Sequence, residues 1–226
     1  ASWPRSGLPT IDEFAGSMSD SDKPSSISSP DLAGERVARG RLFVFAGPSG
    51  VGKDTLIREL VGRWPFYLSI SATTRQPRPG EVDGRDYIFL TDEEFTTWIE
   101  EERFLEWAQF SDHRYGTPRE AVEQQLAAGV DVLVEIEVQG AMQVKAVAPE
   151  AIFIFVEPPS LEELEARLVR RGDTDDMDAR LERARVEMEM ADEFDHRVVN
   201  EVLSDAVAGL LAVVARPDGS QHDQPA

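Results

Sequence analysis

The stretch that most constrains the fold is Arg41 to Leu60, RLFVFAGPSGVGKDTLIREL. An apolar run, Leu42 to Ala46, enters a turn made of Gly47, Pro48, Ser49, Gly50, Val51 and Gly52. Apolar residues at Leu56, Ile57, Leu60 and Val61 then recur at helical spacing. Few folds accommodate strand, glycine-rich turn and helix in that order. Gly47 to Lys53 fits the first seven positions of G-x-x-x-x-G-K-S/T, the phosphate-binding P-loop, in the strand-then-helix setting that gives the pattern its meaning. Glycines at 47, 50 and 52 let backbone N–H groups point inward around phosphate oxygens, and the helix opening near Lys53 adds its positive end. Lys53 is expected to reach the β- and γ-phosphates of a nucleotide. The eighth position departs from the pattern: Asp54 stands where a Ser or Thr binds Mg²⁺, with Thr55 after it.

Composition narrows the classes further. A chain of 226 residues implies one domain with insertions or two small ones. The absence of cysteine excludes disulfides and thiolate metal sites and suits a reducing compartment. No apolar run approaches the ~18 residues of a membrane span, and the first residues lack a signal-peptide apolar region, so the expectation is a cytoplasmic chain without a membrane partner. A net charge of −20 disfavours a nucleic-acid surface, which needs a basic stripe. An anionic substrate must then be met by local arginines and lysines. Oligomeric state is left open.

Along the chain, residues 1–39 mix Ser, Pro, Asp and Gly without sustained period and read as a disordered tail, with Met18 an alternative start. Tyr67 to Thr73 alternates as a strand does, and prolines 77 and 79 with glycines 80 and 84 force a loop carrying Arg75, Arg78, Arg85 and Glu81. Arginine's planar fork suits two-point contacts with phosphate. Tyr87 to Leu90 reads as a short strand, 92–103 as a helix with Phe95, Trp98 and Ile99 on one face, and 104–110 as a strand. A turn leads into RYGTP (114–118), and a helix runs from Pro118 to about Ala128. Residues 130–138 read as a buried parallel strand with Glu135 and Glu137 at its carboxyl end, where α/β sheets hold ligands. A helix from Gly140, a strand at 151–157 and a helix from Ser160 continue the βαβ pattern. Residues 161–195 hold 13 acidic and 6 basic side chains in two amphipathic helices flanking a polar loop, RGDTDDMD (171–178), and a strand at 196–200 and a helix at 204–215 end the fold.

Taken together, GPSGVGK, SATTRQPRPGEVDGRDY, FLEWAQF, YGTP, VEIEVQGA, RLVRRG and VVN resemble, in order, the motifs of the guanylate kinases. That resemblance implies an α/β fold: a P-loop NTPase core whose parallel sheet is flanked by helices, a small GMP-binding insertion with β-strands (about 70–118), and a helical lid (about 167–183). The domain would span 40–216, with 217–226 a polar tail. It also implies transfer of the γ-phosphoryl of ATP to GMP with Mg²⁺ as cofactor, the use of dGMP being left open. Carried over by position, Arg75, Arg78, Tyr87 and Tyr115, with Glu81 in the same loop, would cradle the GMP phosphate. Ser71, Glu106 and Thr117 would hold guanine, and Glu135 and Glu137 would line the same site. Lys53, Arg171, Arg180 and Arg167 would surround the transferring phosphates, and Asn200 would lie near adenine.

The chemistry of guanine supports Glu106 separately, since one carboxylate accepts from both N1–H and the N2 amine, whereas adenine presents a lone pair at N1. Three departures stand against the resemblance: Asp54 for the metal-binding Ser, Glu137 for the usual Asp, and a lid about two residues short. Two alternatives are a non-catalytic interaction module of the same fold, against which the intact Lys53 and arginine set count, and a P-loop kinase of a phosphorylated sugar, against which Glu106, Tyr115 and Thr117 count.

Overall fold

The structure, a computed structural model, describes residues 38–110, 112–172 and 176–215. The tails expected at 1–39 and 217–226 lie, apart from Ala38 and Arg39, outside the described residues, as do the middle residues of the polar loop, 173–175.

Strand β1 (Leu42–Ala46) is buried along its whole length. Because side chains alternate across a strand, it serves two cores at once. Phe43 and Phe45 enter one apolar cluster with Leu56, Ile57 and Leu60 of α1 (Lys53–Val61) and Leu210 and Val214 of α7 (Leu203–Val214). Leu42, Val44 and Ala46 enter another with Val122 and Leu126 of α3 (Arg119–Ala127) and Val138, Ala141 and Val144 of α4 (Val138–Val147). Each fully buried Phe or Leu here is worth roughly 1.5–3 kcal/mol relative to exposure. The remaining core strands are β2 (Tyr67–Leu68), β7 (Val132–Glu135), β8 (Ile152–Glu157) and β9 (His196–Val199), and the sheet runs β2-β7-β1-β8-β9 with every pair parallel. Helices thus cover both faces, as a parallel sheet requires.

A second sheet, in the order β4-β3-β6-β5, is formed by β3 (Ala72–Thr73), β4 (Ile88–Phe89), β5 (Phe104–Phe110) and β6 (His113–Pro118). Helix α2 (Asp92–Glu100) packs on it through Phe95, whose ring stacks on Phe104 at 4.5 Å. A capping box between Thr91 and Glu94 sets the start of α2. Beyond the core strands, α5 (Leu161–Arg171) begins at its Ser160 cap and ends at Gly172, and α6 (Met177–Glu189) follows.

Several boundaries differ from expectation. The single strand at 67–73 is two: Ser69 still donates to Leu133 O of the core sheet, whereas the carbonyl of Ser71 accepts from Ile88 of the second. Alternation reports which way side chains point, not which ladder the backbone joins. RYGTP follows the expected turn, at Asp112, and lies in β6; Gly116 is there because a Cβ would come within 2.8 Å of the Phe104 ring, so it marks a close approach and not a bend. Strand β7 stops at Glu135, and Glu137 caps α4, which starts at Val138 instead of Gly140. Helix α2 ends at Glu100, three residues early, where Glu102 turns to a positive φ of 53°.

One polar hub ties the ends of the core together. Asp131 accepts from the backbone N of Arg41 at 2.8 Å, from its Nη2 at 2.6 Å and from Trp64 Nε1 at 3.2 Å, while Arg41 Nη2 also reaches Val214 O at 2.8 Å. Burial pushes the Asp131 carboxyl up, but the Arg41 hydrogen bonds outweigh it and hold the group below its ordinary value. Its stabilisation is present above about 3.8, the ordinary value, and is lost as pH falls. Asp131→Ala is expected to cost about 2 kcal/mol at neutral pH, lowering Tm by roughly 4–8 °C; melting followed by circular dichroism checks this, and the deficit should shrink below pH 3.8.

Candidate functional site

The P-loop leaves β1 at Gly47, whose φ of 144° and position, with a would-be Cβ 2.1 Å from Val156 O, admit no side chain. Gly50 and Gly52 also have positive φ, and Gly52 is the N-cap of α1. The loop is held from outside. Val51 O accepts from Asn200 Nδ2 at 2.8 Å and from Arg167 Nη1 at 3.1 Å, and Arg167 Nη2 donates to Asn200 O at 2.8 Å. Arg167 is oriented in turn by Glu163 at 3.0 Å. Pro48 is buried and Ser49 exposed at the tip. Lys53 Nζ arches back to Gly47 O at 2.7 Å and Pro48 O at 3.3 Å.

Asp54, in the first turn of α1 with Thr55 exposed beside it, lies close to Glu135 at the end of β7. Burial, chiefly, pushes the Glu135 carboxyl up to about 7; nearby Lys53 opposes the shift, and Asp54 and Glu137 add to it. Glu137, exposed at the start of α4, lies close to Glu187 of α6. Glu187, 9% exposed, is also pushed up to about 7, first by burial and then by Glu137. Among the described residues no group of three or more His, Cys, Asp or Glu forms a metal cage.

The second sheet faces this row. Thr117 Oγ1 donates to Glu106 Oε1 at 2.7 Å, and both side chains are buried. Burial raises the Glu106 carboxyl above its ordinary value, Thr117 opposes that, and the charge of Glu137 adds to it. Arg75 forks onto Glu81 with bonds of 2.9 and 3.0 Å, lies near the Tyr115 hydroxyl, and sits 5.2 Å from the Tyr87 ring centre. Tyr87 and Tyr115 meet edge to face at 6.1 Å, and Tyr87 senses the charge of Glu135. Arg78 is exposed, with its backbone N donating to Glu81 at 2.7 Å, and Ser71 is half-buried on the link between β2 and β3. Arg171 is exposed in the last turn of α5, and Arg180 is half-buried in the first turns of α6.

Sequence reasoning thus named two groups that the fold places on neighbouring walls, and it missed four residues that join them. Gly140 of α4 lies against Glu106: a Cβ there would be 2.5 Å from Glu106 Oε2. Gln143, one turn on, accepts from Trp107 N at 3.2 Å and donates to Trp107 O at 2.9 Å, clipping α4 to β5 beside Glu106. Glu187 and Arg183 read as solvated helix surface, and no local pattern distinguishes them.

A helix-covered parallel sheet, a P-loop at the end of its central strand and a second sheet carrying the buried Glu106–Thr117 pair define a P-loop nucleotide-binding α/β protein. The guanylate kinase family profile matches residues 39–216. The chain is 51% identical over 183 residues to a guanylate kinase of Synechocystis sp., covering 80% of this chain and 96% of that one. It is 53% identical over 178 residues to one of Thermus thermophilus, covering 78% and 81%. Its fold is similar to the crystal structure of guanylate kinase from Anaplasma phagocytophilum, with a TM-score of 0.63 and 30% identity over 78% of this chain and 85% of that one. The chain belongs to the guanylate kinase family.

Gly140→Ala tests the joint between the walls. The added methyl must displace a buried carboxylate already bonded to Thr117, so GMP binding should weaken at least tenfold, about 1.4 kcal/mol, while ATP binding stays within twofold; titration calorimetry with each nucleotide separates the two.

Proposed function

We propose that this chain transfers the γ-phosphoryl group of ATP to GMP, giving ADP and GDP. The observation that carries the reading is the buried Glu106–Thr117 pair, closed by Gly140 and within reach of the charge of Glu137, which follows β7, the strand paired with β1. An ionised Glu106 accepts both donors on the pairing edge of guanine, and the charge-assisted bonds gain strength from burial. An adenine N1 would face the same carboxylate with a lone pair. Arg75, kept in orientation by Glu81 and flanked by Tyr87 and Tyr115, supplies a fork for the acceptor phosphate; Arg78 lies in the same loop. Glu135 stands between Tyr87 and Asp54, bridging the two ends of the site.

Phosphoryl transfer needs alignment and charge neutralisation more than covalent help. Lys53 supplies a cation at the loop, and Arg171 in the last turn of α5 and Arg180 near the start of α6 would meet the ATP phosphates. Arg167, occupied by Val51, Asn200 and Glu163, acts by keeping the loop in shape. Mg²⁺ prefers oxygen ligands and is held through one or two carboxylates together with nucleotide phosphates rather than by a protein cage. Asp54 fits that habit: it is a carboxylate in the first turn of α1, close to Glu135. The metal would supply charge neutralisation between phosphate oxygens.

A coupled assay with ATP and either GMP, AMP or ribose 5-phosphate as acceptor tests the reading: turnover should require GMP, and equal turnover with a sugar phosphate would overturn it. In the same assay Glu106→Gln, which exchanges a double acceptor for one acceptor and one donor, should raise the KM for GMP about 10- to 100-fold, from loss of roughly 1.5–3 kcal/mol, with little change for ATP. For the metal, ATP titrations with and without Mg²⁺ should show a steeper metal dependence in the native chain than in Asp54→Ser, because the carboxylate repels bare phosphates; identical dependence would leave Asp54 outside the metal site.

A further inference from the structure

We infer that Leu105 forms a one-residue β-bulge that turns Glu106 away from the α2 core and onto the guanine-binding face, and that Arg119, which grips the backbone just before the bulge, is a positioning residue for guanine recognition. The inference rests on the reading proposed above and deepens it.

Strand β5 breaks the side-to-side alternation of a regular strand. Phe104 lies opposite Pro118 and Glu106 opposite Thr117, so β5 takes two steps where β6 takes one, and Leu105 is the residue in excess. The neighbouring side chains show what the extra residue does. Phe104 and Trp107 both face α2, their ring centres 4.5 and 6.4 Å from that of Phe95. Residues three apart on a regular strand point to opposite faces, so without the bulge these two could not share Phe95. Glu106, between them, is sent the other way, to Thr117 Oγ1 at 2.7 Å and to the side of α4, where Gly140 leaves room for it. Strand β6 keeps the same division without a bulge: Arg114 and Gly116 lie toward Phe95 and Phe104, and Tyr115 and Thr117 alternate to the opposite face. A regular β5 would carry Glu106 to the face of Phe104, against the apolar cluster of Ala72, Phe95 and Phe104, where a carboxylate is costly. Leu105 itself is buried in the cluster that α3 and α4 share. Three consecutive side chains of β5 thus enter three different surroundings.

A bulge interrupts its ladder, and β5 is also the border of its sheet. The approach to the bulge is fixed from α3. Arg119 donates from its backbone N to Arg103 O at 2.8 Å, from Nη2 to Phe104 O at 3.0 Å and from Nε to Glu102 O at 3.4 Å. One residue therefore holds three successive carbonyls that end at the residue before Leu105, and the first belongs to the turn where Glu102 takes its φ of 53°. Beyond the bulge, Gln143 holds both backbone groups of Trp107. Glu106 sits between these two clamps, so its carboxylate is aimed by backbone fixed on either side. Aim matters here because accepting from N1–H and the N2 amine together requires a set carboxylate plane, whereas a single hydrogen bond tolerates rotation.

The test compares GMP with inosine monophosphate, which keeps N1–H and lacks the amine. Native protein should prefer GMP in kcat/KM by about tenfold or more. Arg119→Met removes the guanidinium and keeps an apolar stem; it should raise the KM for GMP and lower the preference for GMP over inosine monophosphate, each about fivefold, with kcat and the KM for ATP nearly unchanged. In a Glu106→Gln background the same substitution should leave the preference as it is, because the group that Arg119 positions is already gone. Without substrate, a Glu106–Thr117 side-chain contact seen by NMR in the native protein should weaken in Arg119→Met. Arg119 is half-buried, and Arg119→Lys, which returns one donor toward Phe104 O, should recover part of the loss and serves where Arg119→Met does not fold. An unchanged preference in Arg119→Met, or an equal loss in the Glu106→Gln background, overturns the inference. Native protein that phosphorylates neither nucleotide overturns the proposed function, and a Glu106–Thr117 contact that weakens in Arg119→Met then still upholds the positioning.

Discussion

The site depends on one strand being buried on both faces. Because β1 sends Phe43 and Phe45 one way and Leu42, Val44 and Ala46 the other, it cannot slip by a residue without exchanging the contents of two cores. Its last residue therefore delivers Gly47 at a fixed point beneath Val156, and the loop that follows inherits that precision. The loop needs further restraint because glycines at positive φ give it freedom, and Asn200 and Arg167 supply the restraint through the single carbonyl of Val51. Rigidity at the phosphate end is thus made from a strand terminus, a helix and the end of β9, none of which comes from the loop itself.

The opposite wall is built on different terms. The second sheet has a small core of Ala72, Phe95 and Phe104, and its position against the parallel sheet is set at α4, through Gly140 and Gln143. A small core under a polar pocket is suited to adjusting around a ligand, whereas the P-loop side is suited to holding still. Of the carboxyl groups along the boundary, Glu106 and Glu187 are buried, Glu135 half-buried and Glu137 exposed, and Glu137 adds its charge to each of the other three. Lys53 counters two of them, Glu135 and Glu187. A local deficit of positive charge in a chain of net charge −20 makes this boundary responsive to cations and protons.

Much of this was legible in the sequence, and for reasons that can be named. The apolar run of β1 followed by spaced glycines and Lys53 has one good structural solution, and the order of motifs gave the parallel core and the family. Boundaries failed where tertiary pairing overrode local signals: Pro118, expected to open a helix, closes β6 one residue before α3, and the alternation of 67–73 hides a change of sheet. Glu187 could not be read because a carboxyl on an amphipathic, highly charged helix looks like solvated surface until Glu137, fifty residues earlier, is brought close to it. Gly140 could not be read because a glycine within a helix carries no local sign that a buried carboxylate fills the space beside it.

The clip between Gln143 and Trp107 has a consequence beyond the pocket. Strand β5 is the border of its sheet, with one side of its backbone unmatched by a neighbouring strand. Such a border invites pairing with a strand from another molecule, the first step of many aggregation routes. By offering one acceptor and one donor to the N–H and C=O of Trp107, the amide of Gln143 satisfies both of that residue's backbone groups as a neighbouring strand would. The side chain that aligns β5 beside the helix therefore also guards the edge at Trp107, an aromatic, partly exposed residue on that open border.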